Sequence, residues 1–249
     1  MKYILIFGTF LLTGCANTAW MARVSNLAEI TPPTIQSVND SYTTANIVYE
    51  KQQTSELVGT YAQTGYHPGV IKPFIGGDDL NQRQEIAAEL REYAMSLGRL
   101  VTPKKFTRPE DTGDAVMAMN TQQQNLNAIL LVIDQIATST FKFQVSRKLP
   151  KIMQQADPYV QQFHDLFKKD LVDLTVQTDS SYSTLQIAQD QFIQTNQDHL
   201  SPIELRIEIE KLATIEKDQL QADEKLRHAG INIDKFAALH HALCINKKD

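Results

Sequence analysis

Apolar residues recur along most of this chain at intervals of three and four, the period at which side chains share one face of an α-helix. Ile86, Leu90, Tyr93 and Leu97 make one such stripe. Leu126, Ile129, Leu130, Ile133, Ile136 and Ala137 make a second, and Val160, Phe163, Phe167, Leu171 and Leu174 a third. Between about residues 34 and 63 the pattern is weaker, with Ile35, Val38, Tyr42, Ile47, Leu57 and Tyr61 set among many threonines. Local signals suggest where these helices begin and end. Asp79 with Gln82 has the spacing of a capping box, and Asp157-Pro158 reads as a helix start with proline in the first turn. Ser201-Pro202-Ile203-Glu204 is the strongest signal, a full box with Leu200 and Leu205 at the staple positions. Glu110, Asp111 and Asp114 open the second striped helix and Arg147 and Lys148 close it, a polarity that suits the helix macrodipole. Thr31-Pro32-Pro33 marks a boundary, the stretch from Thr178 to Ser183 is expected to break or bend the third helix, and a last helix is expected from about Ile233 to Cys244. No segment reads as a β-run between hairpin turns. The pattern predicts an all-α protein, an antiparallel bundle of five to seven helices forming a single domain over residues 34–249.

Composition adds limits to that picture. The chain has 249 residues, 42% of them hydrophobic and 21% charged, ordinary values for a fold that buries a real core. The formal net charge is −5, so the basic footprint of a nucleic-acid-binding protein is missing and no nucleic acid is expected as a partner.

The first residues are patterned differently. Lys2 precedes a short apolar run from Tyr3 to Leu12, about half the ~20 residues a membrane-crossing helix requires. That length fits the core of a secretory signal. The residues that follow, Leu12-Thr13-Gly14-Cys15, resemble the lipobox of bacterial lipoproteins. The resemblance covers about the first sixteen residues. It implies that 1–14 are a signal peptide, that the Cys15 thiol carries diacylglycerol after cleavage behind Gly14, and that the chain attaches to a membrane through this lipid. Residues 15–33 are then expected to be the lipidated N-terminus and a short tether, with Trp20 either at the lipid interface or packed on the domain. Ala16 stands where many inner-membrane lipoproteins of Gram-negative bacteria carry aspartate. In such a host the resemblance implies the periplasmic face of the outer membrane.

Chemistry is sparse. His240 and His241 precede Cys244 by four and three residues, so one helical turn brings a histidine beside the thiol. A zinc site needs three or four ligands, and the nearest candidates, His228 and Asp234, have no recognised spacing. The pair is therefore read as one core-facing and one solvent-facing histidine, and Cys244 as a small buried hydrophobe on the last helix. Neither a metal nor a cofactor is expected. There is no nucleophile elbow, phosphate loop or H-E-x-x-H, and no catalytic residue is assigned. The basic groups Lys104, Lys105 and Arg108, and Lys142, Arg147, Lys148 and Lys151, are read as solvated helix ends.

The longest irregular piece runs from Thr64 to Asp78, and connections of this length are often functional. Tyr66, His67, Phe74 and Ile75 are the candidate partner-docking residues, with a plug for one end of the bundle as the alternative. The expectation is a non-enzymatic, lipid-anchored envelope protein with a binding or structural role. An immunity or exclusion lipoprotein against a toxin, phage or conjugation system is the alternative, and an enzymatic or ligand-carrying bundle a more distant one.

Overall fold

The computed structural model describes residues 4–65, 71–106, 128–129, 131–132 and 142–245; of residues 4–17, 62–64 and 142–146 only the backbone is described. Among the described residues there is no strand, and four helices carry the fold: α1 (Ile4–Thr64), α2 (Gly77–Val101), α3 (Lys142–Asn196) and α4 (Pro202–Ile245). The protein is all-α. The expected five to seven helices become four because four anticipated boundaries, at Pro32-Pro33, Pro158, Thr178–Ser183 and Ile233, are continuous helix. α1 runs through Pro32 and Pro33, and α3 through Pro150 and Pro158. A proline inside a helix removes one hydrogen bond and costs ~3 kcal/mol, yet burial of a long apolar face outweighs it, since packing supplies most helix stability. Around the first proline pair, the Thr31 and Thr34 hydroxyls donate to the carbonyls of Leu27 and Ile30, at 2.6 and 2.7 Å.

Residues 18–33, expected as a tether, are helical. Val24, Leu27, Ala28 and Thr31 are buried, and the Trp20 indole N–H donates to the Leu243 carbonyl at 3.2 Å. The stretch from Thr178 to Ser183 does not break α3. Thr178 and Ser181 turn inward, the Ser181 hydroxyl donating to Gln52 of α1 at 2.7 Å, while Ser180 and Ser183 face solvent. Nor does a new helix begin at Ile233, which lies inside α4. Arg147 and Lys148, expected to close a helix, sit near the start of α3. Most of the stripe from Leu126 to Ala137 falls outside the described residues. Of the part that is described, Ile129 is buried while Leu131 and Val132 are exposed. Arg108, Glu110, Asp111 and Asp114 also lie outside.

Other signals appear as anticipated. Ile86, Leu90, Tyr93 and Leu97 are buried together, as are Val160, Phe163, Phe167, Leu171 and Leu174. At the start of α4 the Ser201 backbone N–H donates to Glu204 at 2.8 Å, and the Glu204 N–H donates back to the Ser201 hydroxyl at 3.3 Å, the reciprocal capping box. At the start of α2, by contrast, the first backbone bond runs from Leu80 to Gly76, so Asp78 and Asp79 lie in the first turn of the helix.

The chain divides into two compact units, each assembled from distant stretches: residues 1–35, 85–166 and 233–249 in unit 1, and 36–84 and 167–232 in unit 2. In unit 1, α3 and α4 run antiparallel, since Gln154 bonds to the Cys244 carbonyl and Gln161 to that of Ala237. Gly98 of α2 meets α1 so closely that a Cβ built there lies 2.6 Å from the Ala28 methyl and 2.9 Å from the Phe106 ring. Only glycine fits without displacement. In unit 2, α1 and α3 run parallel, marked by the pairs Tyr42–Asp170 and Gln52–Ser181, and α4 is antiparallel to α1, marked by Ser37–Asn232 and Lys51–Asp218.

Candidate functional site

Among the described residues, a set of chemically capable side chains comes together in unit 1, where α4 faces α3 and α2. His240 and Cys244 are four residues apart on α4 and therefore share one face. Both are buried, His240 completely. A buried polar group is costly unless it is hydrogen-bonded, and His240 is satisfied from both sides. Its Nε2 lies 2.8 Å from the Tyr93 hydroxyl of α2, and its Nδ1 lies 2.9 Å from Oδ1 of Asp157 on α3. His241, exposed to solvent, places its own Nδ1 2.7 Å from the other oxygen, Oδ2. The expected division into a core-facing and a solvent-facing histidine is what the helix presents, and Cys244 is buried on it.

Asp157 is the residue that sequence reasoning missed. Read as a helix cap, it stands inside α3, 83 residues from His240. The ligands first sought are elsewhere: Asp234 meets His164 at 2.9 Å and His228 meets Glu224 at 3.4 Å.

The electrostatics follow from burial and partners. Burial pushes the His240 imidazole below its ordinary value despite the neighbouring carboxylate, so it is neutral at pH 7. Burial also acts to raise Asp157, but hydrogen bonds from His240 and His241 dominate and hold it at about 2. Burial, reinforced by the Asp157 charge, pushes the Cys244 thiol up to about 12. Tyr93, fully buried, is held well above its usual value and remains a hydroxyl. The network thus assigns the proton on His240: Tyr93 donates to Nε2, and Nδ1–H donates to Asp157.

This is not the arrangement of a nucleophilic relay. A relay places nucleophile and carboxylate on opposite nitrogens of the imidazole. Here the Cys244 sulfur, at 3.7 Å, approaches the same Nδ1 that faces Asp157. Sγ of Cys244, Nδ1 of His240 and a carboxylate oxygen of Asp157 all lie within 4.8 Å of one another. A cavity of about 370 Å³ lined by Gln154, Asp157, Cys244 and Ile245 adjoins them. Thiol, imidazole and carboxylate are donor types that hold divalent cations.

Two other expected sites are placed less completely. Leu12 to Cys15 have helical backbone at the start of α1, so a peptidase requiring extended chain would act only after this turn opened. Of the candidate docking residues, Tyr66 and His67 lie outside the described residues. Phe74 packs edge-on against Tyr49 of α1, ring centres 5.9 Å apart. Ile75 and Lys72 are each held by one side-chain amide of the same helix. Asn46 accepts from the Ile75 N–H at 2.9 Å and donates to its carbonyl at 3.4 Å. Gln53 does the same for Lys72, at 3.2 and 2.7 Å. Residues 72–75 are therefore laid along α1, leaving Phe74 and Ile75 half-buried. Lys104, Lys105, Arg147, Lys148 and Lys151 are solvent-facing, with Lys105 paired to Glu29 at 2.8 Å.

No family model matches this chain, and no curated protein or solved structure matches it.

Proposed function

We propose that this protein is a lipid-anchored, non-enzymatic component of a bacterial envelope, facing the periplasm from the outer membrane of a Gram-negative host, with a binding or structural role. The observation that carries the reading is the sequence Leu12-Thr13-Gly14-Cys15 behind a short apolar run and Lys2. No helix among the described residues is long and apolar enough to cross a membrane. The packed body begins close behind the anchor. Trp20, five residues after Cys15, is buried, and five helical residues span about 7–8 Å. The lipid would therefore hold unit 1 directly on the bilayer with no tether between.

Metabolic labelling with palmitate tests the anchor. The parent chain should take up label and fractionate with membranes, while Cys15→Ser should do neither. Equal labelling of the two would overturn the reading. Co-purification from detergent-solubilised envelopes, comparing the parent with Phe74→Ala, then tests whether residues 72–75 contribute to partner binding.

A further inference from the structure

We propose that Asp157, His240 and Cys244 form a binding site for a divalent transition-metal ion of the zinc class, with the adjoining cavity supplying a fourth, exchangeable position. The proposal is independent of the lipid anchor.

Three observations converge on it. The first is direction. Sulfur, imidazole Nδ1 and carboxylate oxygen come from two helices and meet within 4.8 Å, a spacing one ion can draw together, since tetrahedral zinc sits ~2.0–2.3 Å from each ligand. The second is the surrounding shell. Metal-bound histidines almost always give their other ring nitrogen to a partner that fixes the ring, and Tyr93 holds Nε2 of His240 at 2.8 Å. Metal-bound carboxylates are likewise hydrogen-bonded, and His241 holds Oδ2 of Asp157 at 2.7 Å, leaving Oδ1 toward His240. The third is access. A cavity of about 370 Å³ reaches Asp157 and Cys244, enough for a hydrated ion to enter and for water or a small ligand to remain bound.

The ligand chemistry also selects among metals. A thiolate with an imidazole suits zinc, cobalt or copper, whereas magnesium and calcium favour all-oxygen shells. Binding is a proton exchange as well as a coordination. The Cys244 thiol gives its proton to solvent as the S–metal bond forms. His240 loses the proton on Nδ1, which becomes a ligand, and gains one on Nε2, which then donates to the Tyr93 oxygen. The charges facing the ion are those of Asp157 and the new thiolate, with His240 and Tyr93 neutral beside them.

Cobalt(II) reports such a site directly, because a cobalt–thiolate bond gives a charge-transfer band in the near ultraviolet. The full chain carrying Cys15→Ser has Cys244 as its sole cysteine, so any such band belongs to that sulfur. Chelator-stripped protein titrated with cobalt should develop the band to a stoichiometric end point, and zinc should then displace it. Adding Cys244→Ser should abolish the band while the far-ultraviolet helix signal stays unchanged. Asp157→Asn should weaken binding at least ~10-fold, and His241→Gln should keep the band with affinity lowered by about 10-fold. Absence of the band in the Cys15→Ser chain, or its survival in Cys244→Ser, would overturn the proposal. A second reading covers misfolded variants. Excess zinc should raise the melting temperature of the Cys15→Ser chain, as binding to the folded state alone requires, and no rise would count equally against the site.

Discussion

Each of the two units holds an aspartate between helices, Asp170 buried and Asp157 half-buried, and the two are held in different ways. In unit 2, Asp170 accepts from Nε and Nη2 of Arg83, at 2.6 and 3.2 Å, and from the Tyr42 hydroxyl at 2.7 Å. The guanidinium stays charged at any pH at which the protein folds, and its two donors match the two oxygens of the carboxylate. In unit 1, Asp157 has no Lys or Arg partner among the described residues. It accepts from His240 and His241, imidazoles, which ligate metals when neutral. The Arg83–Asp170 pair, with Tyr42, commits both carboxylate oxygens to fixed donors. The Asp157 cluster keeps a thiol, a cavity and an exchangeable proton. Asp170 is the more deeply buried of the two, its side chain 8% exposed against 16% for Asp157, and the partners decide whether the result is a fastener or a site.

Removing the guanidinium should give the largest effect. Arg83→Met strands Asp170, whose side chain is only 8% exposed, and breaking one side of a buried ion pair costs about 3–5 kcal/mol. Urea denaturation measures this, and a loss under about 1 kcal/mol would show that Asp170 does not depend on Arg83. His240→Leu should rank next. It deprives Tyr93 and Asp157 of a partner each, and buried groups left unpaired cost about 1–3 kcal/mol apiece. Tyr42→Phe removes one of three donors to Asp170 and should cost about 1 kcal/mol in the same denaturation experiment.

Acidification should sharpen the contrast between the units. The folded value of His240 lies below its ordinary 6.5, so the unfolded chain takes up a proton first as the pH falls. Its contribution is fully present above pH 6.5 and is lost below it. Asp157 behaves alike: held at about 2 against an ordinary 3.8, its contribution is present above 3.8 and disappears toward pH 2. Melting curves of metal-free protein should therefore fall between pH 7 and 5, and His240→Leu should flatten that slope. An unchanged slope in His240→Leu would assign the effect to other groups. The smallest effect belongs to His241→Gln, a half-exposed partner whose loss should cost under about 1 kcal/mol.

The faces of the helices were legible in the sequence because their spacing repeats. Ile86 to Leu97 and Val160 to Leu174 are buried as the period requires, and the Ser201–Glu204 box closes as its chemistry dictates. Helix ends were less legible. Pro32, Pro33 and Pro158 carry a local cost that reads as a break, but the apolar surface that outweighs it comes from partners far away in the chain. Half the site was visible for the same reason that the faces were. His240 and Cys244 are one turn apart, and that spacing announced itself. Asp157 did not, because its neighbour is a proline and the pair imitates a helix start. Tyr93 was recognised as core, and nothing in its stripe indicated that its hydroxyl meets an imidazole.

Gly98 bears on that last contact. With no side chain it lets α2 touch Ala28 of α1, and a slip by one turn would bring Ala94 or Thr102 to the spot, each with a Cβ that the gap does not admit. The missing methyl therefore works as a notch that locks α2 at one setting along its neighbour. Tyr93 sits five positions away on the same rigid rod, so the reach of its hydroxyl to His240 is set by an absence of atoms elsewhere on the helix.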